Sequence, residues 1–155
     1  MHILLAALLI GVIAGLRTFT APTAVSWGAR FGRIPLAGTH LAWLGSAVAA
    51  YILLFFALFE IVFIDLNPKT PSRTGAQGFI SRLVTGGFSG AAIGITADSP
   101  WLGLLLGLVG AVIGTYGGAT FRAKLAAALG KDLPAALIED AIAIVGAVVI
   151  VACLA

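Results

Sequence analysis

What this chain lacks decides its class. Of its 155 residues, nine are Lys or Arg and six are Asp or Glu, so that charged residues make up only 10% of the sequence. Soluble domains carry about 25% charged residues, and a globule of this size leaves much of its surface in water. So few charges cannot cover that surface, which argues against a soluble enzyme, a nucleic-acid-binding domain or a disordered tail. Cys153 is the single cysteine; it excludes an internal disulfide and a thiolate metal cluster, and its apolar surroundings read as those of a small buried hydrophobe. The net charge of +3 comes without a basic run interleaved with aromatics, the pattern of single-strand nucleic-acid binders. No metal-ligand cluster is visible, His2 and His40 fall at opposite faces, and no serine or cysteine has a nearby base. The expectation is therefore a protein with no catalytic activity, no cofactor, no metal and no nucleic-acid partner.

What is present is apolar sequence, 61% of the chain. The charge-free runs are 1–16, 34–59, 83–97, 99–121 and 141–155. A helix needs about 20 mostly apolar residues to cross the hydrocarbon, so several runs must be extended past a charge. The result is an all-α integral membrane protein in a single domain, residues 1–155, with five helices at roughly 2–27, 38–64, 77–97, 100–121 and 133–155. The first run has the apolar core of a signal peptide, but its start, Met1 and His2, holds no Lys or Arg. With five spans, Lys69, Arg73, Arg122, Lys124 and Lys131 share the side of the N-terminus, against Arg30 and Arg33 opposite. Because Lys and Arg collect in cytoplasmic loops, the N-terminus is expected in the cytoplasm and the C-terminus outside. Trp27, Trp43 and Trp101 then all fall at the outer interface, the headgroup level that tryptophan prefers.

Half of the twenty glycines lie between residues 86 and 118. Gly86, Gly90 and Gly94 recur every four residues, and Gly103, Gly107, Gly110, Gly114 and Gly117 step by four and three. In lipid, close backbone approach through small residues is a main source of helix packing. A tight hairpin of helices three and four is expected, with self-association and pore lining as the alternatives for the same stripe. Homo-oligomers and membrane lipids are accordingly the candidate partners.

Residues 11–21 can be laid over 110–120, each an apolar half-helix running into Gly, Thr or Pro. The first interruption is the clearer one. A continuous helix from His2 to Arg30 would be about 43 Å long, and Thr20 and Pro22 read as a helix restart. With five spans, helices one and two would be an inverted repeat of helices four and five around helix three. Paired interruptions of this kind point to a transport site. Arg17, Thr18, Thr20 and Pro22 with Gly114, Thr115, Tyr116, Gly117 and Gly118 are the candidate lining of an anion-accessible cavity. The restarted helix would aim free N–H groups at an anion beside Arg17.

By depth, Glu60, Arg82, Glu139 and Asp140 fall in one layer of the cytoplasmic half. Charges in lipid are costly unless paired, so Arg82 is expected to bridge Glu139 or Asp140, and Glu60 to meet Lys69 or Arg73. Arg17, about 22 Å along helix one, would lie beyond their reach, with Asp98 the acidic candidate at its depth. Lys69, Ser72 and Arg73 form a basic cytoplasmic loop, and Lys69 and Arg73 with Arg82 could hold a phosphorylated headgroup.

Four motifs together carry a resemblance: Gly15-Leu-Arg-Thr-Phe-Thr-Ala-Pro22, Pro68-Lys-Thr-Pro-Ser-Arg-Thr74, Gly110-Ala-Val-Ile-Gly114-Thr-Tyr-Gly-Gly118 and Leu137-Ile-Glu-Asp140. The chain resembles, over nearly its whole length, a family of small bacterial integral membrane proteins known only as a domain of unknown function. Members of that family often carry Asp-Lys where this chain has Asp65-Leu66. The resemblance implies a multi-pass protein of the bacterial inner membrane and brings no activity with it. On its residues, the chain is expected to be a transporter or channel-like protein for a small, anionic solute whose identity the sequence does not name. The alternatives are a scaffold that oligomerises through its glycines and a lipid-headgroup-binding protein.

Overall fold

The computed structural model describes residues 2–64 and 74–154. Local signals start and stop the helices within it. The His2 ring accepts the Leu4 N–H and begins α1, Ile3–Leu16. Ser46 accepts the Ala49 N–H and begins α3, Ala47–Phe59, which runs on as a π-helical turn, Glu60–Ile64. Pro100 occupies the first turn of α5, Pro100–Leu129, where its missing N–H costs nothing. Gly130, at φ 70°, stops α5, and α6, Asp132–Ala152, follows. The remaining helices are α2, Thr20–Arg30, and α4, Ala76–Ile95, with a short 3-10 turn at Ala42–Gly45. Among the described residues there is no strand, and α4, α5 and α6 are long and apolar enough to cross a membrane. The chain is thus an all-helical protein of the membrane class.

The expected first helix, 2–27, is two helices, and they run in opposite directions. Ile13 on α1 lies beside Gly146, and Arg17 meets Asp140, so α1 is antiparallel to α6. Gly28 on α2 lies beside Val151, and Arg33 reaches the Ala152 carbonyl, so α2 is parallel to α6. The reversal occurs at residues 17–19, where Arg17 is extended at φ −139°, ψ 120°. α3 runs back beside α2, with Phe19 stacked on Phe56 and Trp27 edge-on to Tyr51. The six α-helices of the described residues therefore alternate in direction, and α1 begins at the same end of the bundle at which α6 ends. Trp27, Trp43 and Trp101 lie at that end too; it is called the upper end below.

Two further expectations change with this path. The fourth predicted helix is not interrupted at residues 114–118: α5 is continuous for thirty residues. The two segments laid over each other, 11–21 and 110–120, are not inverted either. Gly11 packs on Gly107, and Gly15 on Ala111 and Gly114, so α1 and α5 are parallel. An inversion needs an odd number of reversals between the copies, and the extra turn at residues 17–19 makes that number even.

The glycine stripes are the packing surface of the upper half. A Cβ at Gly90 would collide with the Gly103 carbonyl, one at Gly94 with Ser99 and Gly103, and one at Gly107 with Gly86. Gly110 and Gly114 press in the same way on the α1 backbone at Leu8 and Val12. α5 is thus clamped between α4 and α1 through backbone contacts that any side chain would prevent. The core continues through Ala6, Ala7, Ile10, Ala92, Ile93 and Ala147. Cys153, in contrast to its expected burial, is exposed just past the end of α6.

Candidate functional site

Four helices bring polar groups to one level. From their upper ends, α1 and α3 each descend about 20 Å before reaching Arg17 and Glu60. α5 reaches Thr115 at about the same depth, and α6, ascending from below, passes Asp140 there. Burial at this level is deep for charged groups: Arg17 and Glu139 are each 1% exposed, Glu60 3% and Asp140 6%. Thr18, Thr20 and Thr115 are buried with them.

The turn at residues 17–19 is held by side chains from distant parts of the chain. Both carboxylate oxygens of Glu60 accept backbone N–H groups, one from Thr18 and one from Phe19, each at 2.9 Å. The N-terminus of α2 is therefore capped by an acid, which satisfies otherwise orphaned donors and complements the positive end of the helix dipole. The sequence placed an outside anion there; the protein supplies its own. Thr20 is the first residue of α2 and Phe19 its cap position, with Thr23 donating its hydroxyl to the Phe19 carbonyl at 2.7 Å.

Arg17 forms an ion pair with Asp140. The expectation that Arg17 lies out of reach of the carboxylate layer is thereby corrected. It treated α1 and α2 as one rod crossing the membrane, whereas the hairpin ends α1 at the depth of α6's acids. Glu139, the next residue on α6, lies 3.8 Å from Arg122, which also grips Asp132 in a two-pronged bond of 3.0 and 2.6 Å. Of the acids expected to bridge Arg82, Asp140 meets Arg17 and Glu139 meets Arg122, and the Arg82 guanidinium donates to the Gly78 carbonyl at 2.9 Å. Lys69, Ser72 and Arg73, the basic loop and the expected partners of Glu60, lie outside the described residues. Among the described residues, no group of three or more His, Cys, Asp or Glu side chains could hold a metal ion.

The cavity predicted from both helix breaks divides in two. Arg17, Thr18, Thr20 and Pro22 are closed into the polar layer, where Thr115 donates its hydroxyl to the Ala111 carbonyl at 2.8 Å. Gly114, Gly117 and Gly118 instead line a groove of about 280 Å³ between α1, α5 and α6, with Val12, Leu16 and Glu139 among its walls. A Cβ at Gly117 would meet nothing within 4 Å. Tyr116 turns outward and packs against Phe79.

Sequence reasoning missed the pairing of Arg17 and the capping role of Glu60. One signal for both is in α2. Thr20, Thr23 and Ser26 recur every third residue and so share a helix face. All three are buried, and Ser26 donates to the Leu44 carbonyl at 2.5 Å. A stripe of hydroxyls suits a short helix facing protein rather than the second half of a lipid-facing span.

No protein-family model matches this chain, and neither a curated protein nor a solved structure matches it. The family resemblance of its four motifs gains no support from these comparisons, so a functional reading rests on the site itself.

Proposed function

We propose that this protein is a small multi-pass membrane carrier or channel-like protein, and that its solute passes the polar layer at the tip of the α1–α2 hairpin. The carrying observation is the groove of about 280 Å³ between α1, α5 and α6, whose wall includes the buried carboxyl-bearing residue Glu139. Ionisable groups inside a membrane are costly and commonly mark solute and proton pathways. Half-length helices whose ends meet charged groups are a recurrent basis of transport sites.

The preference for an anion loses its support. Arg17 is engaged by Asp140, and the amide end of α2 by Glu60. Glu139, in the groove wall, lies 3.8 Å from Arg122, and a carboxylate that exchanges its arginine for a solute suits a small cationic or proton-exchanging one. Self-association through the glycine stripes is also less attractive as a function, because those faces are occupied within the chain.

Orientation follows from the charges. Arg82, Arg122, Lys124 and Lys131 belong to the lower end, and Arg30 and Arg33 to the upper. The positive-inside rule then sets the lower end in the cytoplasm, with both chain ends outside. Five full spans would have separated the ends. The bilayer's apolar thickness of about 30 Å would leave the polar layer about two-thirds of the way across from the outer face.

The test is flux in proteoliposomes, with monovalent cations, small amines and small carboxylates supplied under a proton gradient. Cation or amine flux that falls sharply in Glu139→Gln, with the variant folded and inserted, is the expected result. Flux confined to carboxylates would overturn the solute class. Absence of flux for every class, in protein shown to be folded, would overturn the carrier reading.

A further inference from the structure

The upper end of α2 is closed by a glycine turn that fixes an arginine in place. Gly32 is in the left-handed region at φ 75°, a conformation that glycine adopts at no steric cost. The Arg33 N–H then returns to the Gly28 carbonyl at 2.8 Å. Arg33 is exposed, and its guanidinium donates to the Ala152 carbonyl at the end of α6, at 3.3 Å. A guanidinium has five donors, and this single long bond uses one of them.

Directly below this arginine is an apolar groove of about 290 Å³ between α2 and α6. Its floor exists because Gly28 lacks a side chain: a Cβ there would collide with Val151. Its walls include Ala24, Trp27, Phe31 and Val148. Phe31 and Val148 are well exposed, at 70% and 60%, so the groove opens to the side of the bundle. Trp27, packed against Phe31 and Tyr51, is a residue type suited to the headgroup level.

We infer that this groove is a phospholipid site, with the lipid phosphate on Arg33 and an acyl chain along Ala24 and Val148. Two independent features converge on one amphipathic ligand. A planar guanidinium is matched to phosphate oxygens, and the apolar channel starts at that same arginine and runs along the helices towards the middle of the bundle. Charge complementarity selects a phosphate-bearing lipid over a neutral one. The site is separate from the polar layer, so its failure would leave the proposed carrier function untouched.

Native mass spectrometry of the full chain, released from detergent, tests the assignment with phosphatidylglycerol and with diacylglycerol of the same acyl chains. Wild-type protein should retain one phosphatidylglycerol in preference to diacylglycerol. Arg33→Ala should weaken phosphatidylglycerol retention by about tenfold or more, the effect of losing a charge-assisted contact. Arg30→Ala should leave retention unchanged, and Val148→Trp, which fills the groove with Arg33 intact, should lower it. Unfolding temperatures measured in parallel identify any variant that fails to fold; Arg33→Lys, which keeps the charge, then serves as the milder variant and should retain lipid better than Arg33→Gln. Equal retention by wild type and a folded Arg33→Ala, or equal retention of the two lipids, would overturn the proposal.

Discussion

Two of the helical hairpins in this protein, α4–α5 and α1–α2, are held by opposite means. The hairpin of α4 and α5 is bound by absence: at Gly86, Gly90, Gly94, Gly103 and Gly107 the backbones touch because nothing projects between them. The hairpin of α1 and α2 is bound at its tip by charge, with Glu60 on two amides and Asp140 on Arg17. The first relies on dispersion and close fit, spread over many weak contacts. The second concentrates its stability in a few groups that are costly if one partner is lost. Dense glycine packing therefore suits a frame, and a charged tip suits the part of the molecule where polar chemistry happens.

The largest effect should come from breaking the charged tip on one side. Asp140→Ala removes the carboxylate that the buried Arg17 meets and should cost about 3–5 kcal/mol, read as a drop in unfolding temperature in detergent. Replacing both, Arg17→Met with Asp140→Leu, should recover much of that loss. A single variant as stable as wild type would show that the pair carries little.

The glycine frame should respond next. Gly107→Ala places a methyl against the Gly86 carbonyl and should cost about 1–3 kcal/mol through backbone displacement. A variant that unfolds at the wild-type temperature would mean that α4 and α5 can part without loss.

Glu60→Gln is expected to cost less, about 1–2 kcal/mol. It keeps one acceptor oxygen but loses the charge and the second amide contact. Hydrogen exchange at Thr18 and Phe19 should accelerate in this variant while the α5 amides hold; unchanged exchange at both would remove Glu60 from the tip.

Gly117→Ala sharpens the comparison from the other side. Its Cβ meets open space, so the substitution should be neutral or stabilising by up to about 1 kcal/mol, the helix preference of alanine over glycine. Destabilisation there would mean that the groove is narrower than its described walls.

The membrane class and the α4–α5 packing were readable from sequence because both depend on composition and local spacing. Fifteen charges in 155 residues leave few choices of environment, and glycines every four residues align on one helix face whatever the rest of the chain does. The reversal at residues 17–19 was not readable in this way. Hydropathy along residues 2–27 describes how apolar the segment is, not which way it runs, and a hairpin of two half-length helices has the same profile as one broken span. The error then spread: an odd count of helices set Arg17 at the wrong depth, inverted the imagined repeat and separated the chain ends. Glu60 could be placed at the right depth but not given its partners, because two backbone amides have no signature in sequence.

The groups that hold the hairpin tip also set a timetable. Glu60, on the amides of Thr18 and Phe19, and Asp140, on Arg17, both follow the tip along the chain, Asp140 by about 120 residues, which at roughly 5–20 residues per second is made several seconds or more later. Until α6 emerges from the ribosome, the ion pair between Arg17 and Asp140 cannot form. The α1–α2 tip is therefore expected to take its final seat only when the last helix arrives. Completion of the fold is then a closing step made by the C-terminal helix, and chains truncated before Asp140 should be the ones that quality control removes.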